Sequence, residues 1–106
     1  MNGLFEKNKK NLRISHNRLD DAIKDDINAA LSDLERVGVL PFKYMDGAVV
    51  EDEDGYKVLK DELIRKAIEF YLKWQYDYMG QADKWEKAYE KLRDALSLSE
   101  EYTNEE

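Results

Sequence analysis

With 106 residues, no cysteine, one proline and a formal net charge of −7, the chain is sized for a single domain around one modest core. The absence of cysteine excludes disulfides, thiolate zinc sites and cysteine nucleophiles, and the acidic balance disfavours a protein that grips DNA by neutralising its phosphates. No apolar run nears the ~18 residues of a membrane span, and the segment MNGLFEKNKKNLRIS lacks the apolar stretch of a signal peptide, so a cytoplasm is the expected place of synthesis.

The basic and acidic residues are unevenly placed. Residues 1–18 carry Lys7, Lys9, Lys10, Arg13 and Arg18 against Glu6 alone, whereas the last seven residues carry Glu100, Glu101, Glu105 and Glu106. A head-to-tail charge difference of this kind can orient neighbouring subunits or partners. A basic terminus and an acidic solubilising tail account for it equally well.

In chain order, residues 1–16 read as an N-terminal segment or short helix anchored by Leu4, Phe5, Leu12 and Ile14. Asn17 is the expected N-cap of a first main helix over 17–37, with Asp20 and Asp21 in its first turn. Leu19, Ile23, Ile27, Ala30, Leu31, Leu34 and Val37 then recur at spacings of three and four and fill roughly 120° of the helical wheel. Asp21, Lys24, Asp25 and Asp33 lie outside that stripe. Gly38 fits the C′ position, and Pro41 blocks continuation.

Residues 38–58 lose the helical period. Two Asp-Gly pairs mark turns, and Ala48–Val50 with Tyr56–Val58 fit a small hairpin around an acidic tip. A second main helix is predicted over 59–79, with Asp61 and Glu62 in its first turn. Its apolar residues cover about 200° of the wheel, far more than one packing face needs. Gly80 supplies the left-handed turn to a third helix over 81–97, whose stripe of Ala82, Trp85, Ala88, Tyr89, Leu92, Ala95 and Leu96 covers about 140°. Residues 98–106 form an acidic tail. The second helix is thus expected between the other two, giving an all-α bundle of three to four helices with a long loop or short β-hairpin between the first two main helices. The bulky edges of the second helix, Phe70, Trp74 and Tyr76, are the expected subunit interface.

Catalytic chemistry finds little support. Asp52-Glu53-Asp54-Gly55 resembles part of a calcium loop, but aligning Gly55 with the glycine of that loop puts Val50 where the first ligand belongs. An acidic solvated turn is the better reading. His16, the single histidine, has no carboxylate or thiolate partner in sequence reach and reads as a surface residue. Asp20-Asp21 and Asp25-Asp26 suit a solvated helix face better than a catalytic pair. The chain has no phosphate loop, nucleophile elbow or His-Glu-x-x-His zinc motif. The basic segment Lys7–Arg18 offers one minority alternative, nucleic-acid binding. A small acidic helical regulator that buries its aromatic flank against one protein partner is another.

The order of these signals is familiar. Leu12-Arg13-Ile14-Ser15, an acidic helix start and INAALSDLERVGV, followed by DELIRKAIEFYLKWQYDYMG and a third helix ending KLRDALSLSEEY, resemble the head-tail connector proteins (head completion or DNA-packaging adaptors) of long-tailed bacteriophages and their prophages. The resemblance spans about residues 10–102. It implies a structural, non-enzymatic virion subunit without cofactor or metal. Such a subunit forms a homo-oligomeric ring under the portal protein, extends the DNA channel and links the packaged head to a stopper or tail-completion protein. DNA would pass without sequence-specific binding, and no membrane is involved. The resemblance also implies that the C-terminal helix and tail, here Leu96, Leu98 and Tyr102, engage the portal or another partner. The acidic tip Glu51, Asp52, Glu53 and Asp54 would make loop contacts below the ring or in its lumen. An apolar surface wide enough for a core and a neighbour suits a ring subunit, and an acidic channel does not hold a moving duplex.

Overall fold

Helix-breaking residues and caps divide the chain into its elements. The computed structural model describes residues 4–39, 49–51, 57–59 and 61–103. The elements are α1 (Leu4–Asn11), α2 (Asp20–Arg36), β1 (Val49–Glu51), β2 (Lys57–Leu59), α3 (Glu62–Gln75), a 3₁₀ turn (Tyr78–Gly80), α4 (Ala82–Ser97) and α5 (Glu100–Thr103). The architecture is a small all-α bundle carrying one two-stranded antiparallel ribbon. Its register pairs Val49 with Leu59, Val50 with Val58 and Glu51 with Lys57. Both strands sit one residue later than the alternation of the sequence predicts.

The helix ends show how the chain changes direction. α2 closes with a complete Schellman motif: Gly38 N–H donates to the Glu35 carbonyl at 2.9 Å and Val39 N–H to the Leu34 carbonyl at 3.0 Å. Gly38 has φ +93°, a conformation that lacks steric cost without a Cβ, and Val39 is buried against the core. α1 ends in the same way, with Arg13 N–H on the Lys10 carbonyl and Ile14 N–H on the Lys9 carbonyl. Here an arginine at φ 59° takes the place of glycine.

Two expected helix starts are corrected. Asn17 is not the N-cap of α2. That position is Leu19, which makes no side-chain cap bond, and Asn17 contributes only its carbonyl, to Asp20 N–H. Acidic residues in the first turn and the ion pair of Lys9 with Asp20 at 2.8 Å supply the favourable electrostatics that a capping side chain would give. Asp61 lies outside the first turn of α3 and is its N-cap, accepting from Ile64 N–H at 3.0 Å.

The second main helix also stops earlier than its periodicity predicts. α3 ends at Gln75 with Tyr76 as C-cap, and the reversal to α4 uses three left-handed residues, Asp77, Met79 and Gly80, rather than Gly80 alone. The Asp77 side chain explains the early stop. Its carboxylate accepts from Ala82 N–H at 2.9 Å and so satisfies an orphan donor at the start of α4.

α3 lies between α2 and α4. Ile64, Ala67, Ile68 and Leu72 are fully buried in one core with Ile23, Ile27, Ala30 and Leu34 of α2, and with Tyr89 and Leu96 of α4. Burying each large aliphatic side chain stabilises the fold by roughly 1.5–3 kcal/mol. Phe5 of α1 packs against this core, and Leu12, just after the helix, is buried in it. The Asn11 amide donates to Glu69 of α3 at 3.2 Å.

Candidate subunit and partner interface

The tight α3–α4 turn determines how much of α3 remains for a neighbour. It brings Trp85 and Tyr89 back against the aromatic residues of α3. Tyr71 stacks edge-on against Tyr89 at 5.2 Å and against Trp74 at 5.6 Å, and Phe70 meets Trp85 at 5.7 Å. Lys73 reaches over Trp85 and Tyr78 at 4.6 and 4.8 Å, a cation–π contact that covers the outer edge of the cluster. Much of the 200° apolar surface of α3 is therefore used inside the subunit.

Phe70, Trp74 and Tyr76 are all half-buried and packed against the core, but they do not form one patch. Phe70 belongs to the Trp85 side of the cluster. Trp74 lines a groove of about 530 Å³ with Ala29, Ser32, Asp33, Arg36, Tyr71 and Arg93. Tyr76 lines a second groove, of about 320 Å³, at the end of the bundle where α1 meets α2 and α3 meets α4.

Asp33 forms the polar centre of the first groove. Its Oδ2 accepts from the Tyr89 hydroxyl at 2.6 Å and from Arg93 Nη1 at 3.3 Å, while Oδ1 accepts from Arg36 Nη2 at 2.7 Å. Burial by itself would raise the Asp33 carboxyl, but the bonds from Tyr89, Arg36 and Arg93 outweigh it and hold the group below the ordinary carboxylate range. Burial, followed by the Asp33 carboxylate, pushes the Tyr89 hydroxyl well above the usual phenol range. Sequence periodicity placed Asp33 outside the apolar stripe and gave it no role. The available signal was Tyr89 inside such a stripe, since a buried tyrosine hydroxyl requires an acceptor.

The C-terminal set separates. Leu96 and Tyr102 are buried in the subunit's own core, whereas Leu98 is 87% exposed. The Tyr102 hydroxyl donates to Asp61 Oδ2 at 2.9 Å, so the α3 N-cap also anchors α5. Of the acidic tip, Glu51 ends β1 opposite Lys57; Asp52, Glu53 and Asp54 lie outside the described residues. His16 is exposed on the α1–α2 connection, and its Nδ1 accepts from Arg18 N–H. Among the described residues no helix is long and apolar enough to cross a membrane.

No curated protein and no solved structure matches the chain. A family model described as phage connector protein matches residues 4–103. That span takes in all five helices, both strands and both grooves. The chain belongs to the phage connector protein family.

Proposed function

We propose that this chain is a structural head-tail connector subunit that assembles as a ring under the portal, extends the DNA channel and joins the packaged head to a stopper or tail component. The observation that carries this reading is the family match across residues 4–103. The bundle's physical character supports it. Half-buried aromatic edges, two open grooves and exposed Leu63, Met79 and Leu98 leave apolar surface beyond what the subunit covers for itself.

In this reading the Trp74 groove and the Phe70 and Tyr76 edges meet neighbouring subunits. Leu98 is the C-terminal residue still free to meet a partner, because Leu96 and Tyr102 hold α4 and α5 in the core. Glu51, Asp52, Glu53 and Asp54 make the loop contacts below the ring or in its lumen. The subunit acts without catalysis or a cofactor, is made in the host cytoplasm and resides in the virion. DNA passes it without sequence-specific contact.

Deleting the gene from the phage that encodes it tests this role. DNA-filled heads that lack tails are expected to accumulate, and wild-type levels of infectious particles would overturn the proposal.

A further inference from the structure

Two features at opposite ends of the bundle leave apolar surface open to a neighbour. At the end where α1 meets α2 and α3 meets α4, Leu12, Ile14, Leu19, Tyr76, Tyr78 and Met79 line the open apolar cleft of about 320 Å³. The three non-glycine residues of positive φ among the described residues, Arg13 (59°), Asp77 (47°) and Met79 (57°), all lie on this cleft. Left-handed backbone is unfavourable for residues with a Cβ, so the local strain of the fold is concentrated around one opening. Met79 at its edge is 68% exposed.

At the other end, Leu98 is the C-cap of α4 and stands 87% exposed. The 16 residues of α4, at about 1.5 Å each, separate it from the cleft by roughly 24 Å. Leu98 therefore cannot fill the cleft of its own chain. Arg13 and Arg18 are exposed beside the cleft, where the one carboxylate of its lining, Asp77, accepts from Ala82 N–H, and Glu100 and Glu101 are exposed beside Leu98.

We propose that Leu98 of one copy seats in the cleft formed by Leu12, Ile14, Leu19, Tyr76, Tyr78 and Met79 of the next copy, with Glu100 and Glu101 set against Arg13 and Arg18. The inference rests on the ring reading and specifies one of its contacts. A projection at one end and a cleft at the other make a heterologous, head-to-tail contact, the kind that closes into rings. Charge complementarity favours a second copy as the occupant: the head-to-tail contact sets Glu100 and Glu101 against Arg13 and Arg18, whereas a two-fold pairing of the Leu98 ends would oppose their glutamates.

The chain has no native cysteine, so an engineered pair reports this contact cleanly. Under mild oxidation the Leu98→Cys/Met79→Cys double variant is expected to give a ladder of covalent dimers, trimers and higher species, while each single variant stays monomeric on a non-reducing gel. Both positions are exposed, so folding is not at risk. Arg18→Glu should slow crosslinking several-fold, and adding Glu100→Arg should restore it. If electron microscopy shows rings, alone or on the portal, but the double variant crosslinks no more than the singles, this contact is wrong and the ring reading stands. Dimers from Leu98→Cys alone would also overturn it, as would protection of that thiol by the portal and not by other copies. If no ring forms with or without the portal, the ring reading itself fails and takes this contact with it.

Discussion

The Tyr89 hydroxyl donates to Asp33 at 2.6 Å, and this bond ties α4 to α2 across the aromatic side of α3. Arg93, one turn further along α4, reaches the same carboxylate oxygen, while Arg36 holds the other. Tyr89→Phe keeps the ring contacts with Tyr71 and Trp74 and removes one charge-assisted bond. It is expected to lower stability by about 1–3 kcal/mol in urea unfolding. Asp33→Ala should cost more than Tyr89→Phe, because it leaves the buried tyrosine hydroxyl without its acceptor.

The same pair gives pH dependence at both extremes. The folded state holds Asp33 below the ordinary carboxylate value. Its contribution is therefore complete above the unfolded pKa of about 3.9 and is lost as pH falls through the lower folded value. Burial and then Asp33 raise Tyr89, so the tyrosine's contribution is complete below the ordinary value of 10.0 and is lost as pH rises beyond it. Thermal unfolding followed across pH should show Tyr89→Phe with a shallower alkaline decline than wild type. A parallel decline would mean that another group controls that limb.

Asp61 serves two elements, capping α3 through Ile64 N–H and accepting from the Tyr102 hydroxyl. Asp61→Ala is expected to cost about 1–2 kcal/mol and to speed amide exchange at Tyr102 and Thr103. A shorter Asp61→Ser side chain retains the capping geometry but not the reach to Tyr102. It should recover part of the stability while leaving α5 exchange fast.

Arg13 occupies the left-handed position of a Schellman motif at φ 59°. Removing its Cβ relieves roughly 1–2 kcal/mol of steric cost, against less than about 1 kcal/mol of added chain entropy in the unfolded state. Arg13→Gly is therefore expected to raise the melting temperature, by an amount corresponding to about 1 kcal/mol or less. A lower melting temperature would show that the arginine side chain makes a stabilising contact worth more than the strain.

The helices were legible where periodicity and punctuation agreed, their N-caps less so. Ile23 to Leu34 followed by Gly38 gave the course of α2, and Trp85, Tyr89, Leu92 and Leu96 gave the inner face of α4. The α3–α4 turn was less legible because the deciding bond, from Ala82 N–H to Asp77, is a side-chain interaction that a hydrophobic pattern does not register. The aromatic excess of α3 was plain in the sequence, but its distribution was not. The helical wheel already sets Tyr76 on the polar side, away from Phe70 and Trp74, but it does not show that α4 returns close enough to cover much of those two while Tyr76 lines a different groove. Leu96, Leu98 and Tyr102 show the same limit. Composition made them three apolar residues near one end, and only tertiary packing separates the two buried ones from the exposed Leu98.

Electron microscopy of the purified protein mixed with assembled portal tests most directly whether this chain forms a connector ring. A ring of these subunits seated on one face of the portal and coaxial with its channel is the predicted result. A protein that stays monomeric and unbound to portal and tail components alike would contradict it.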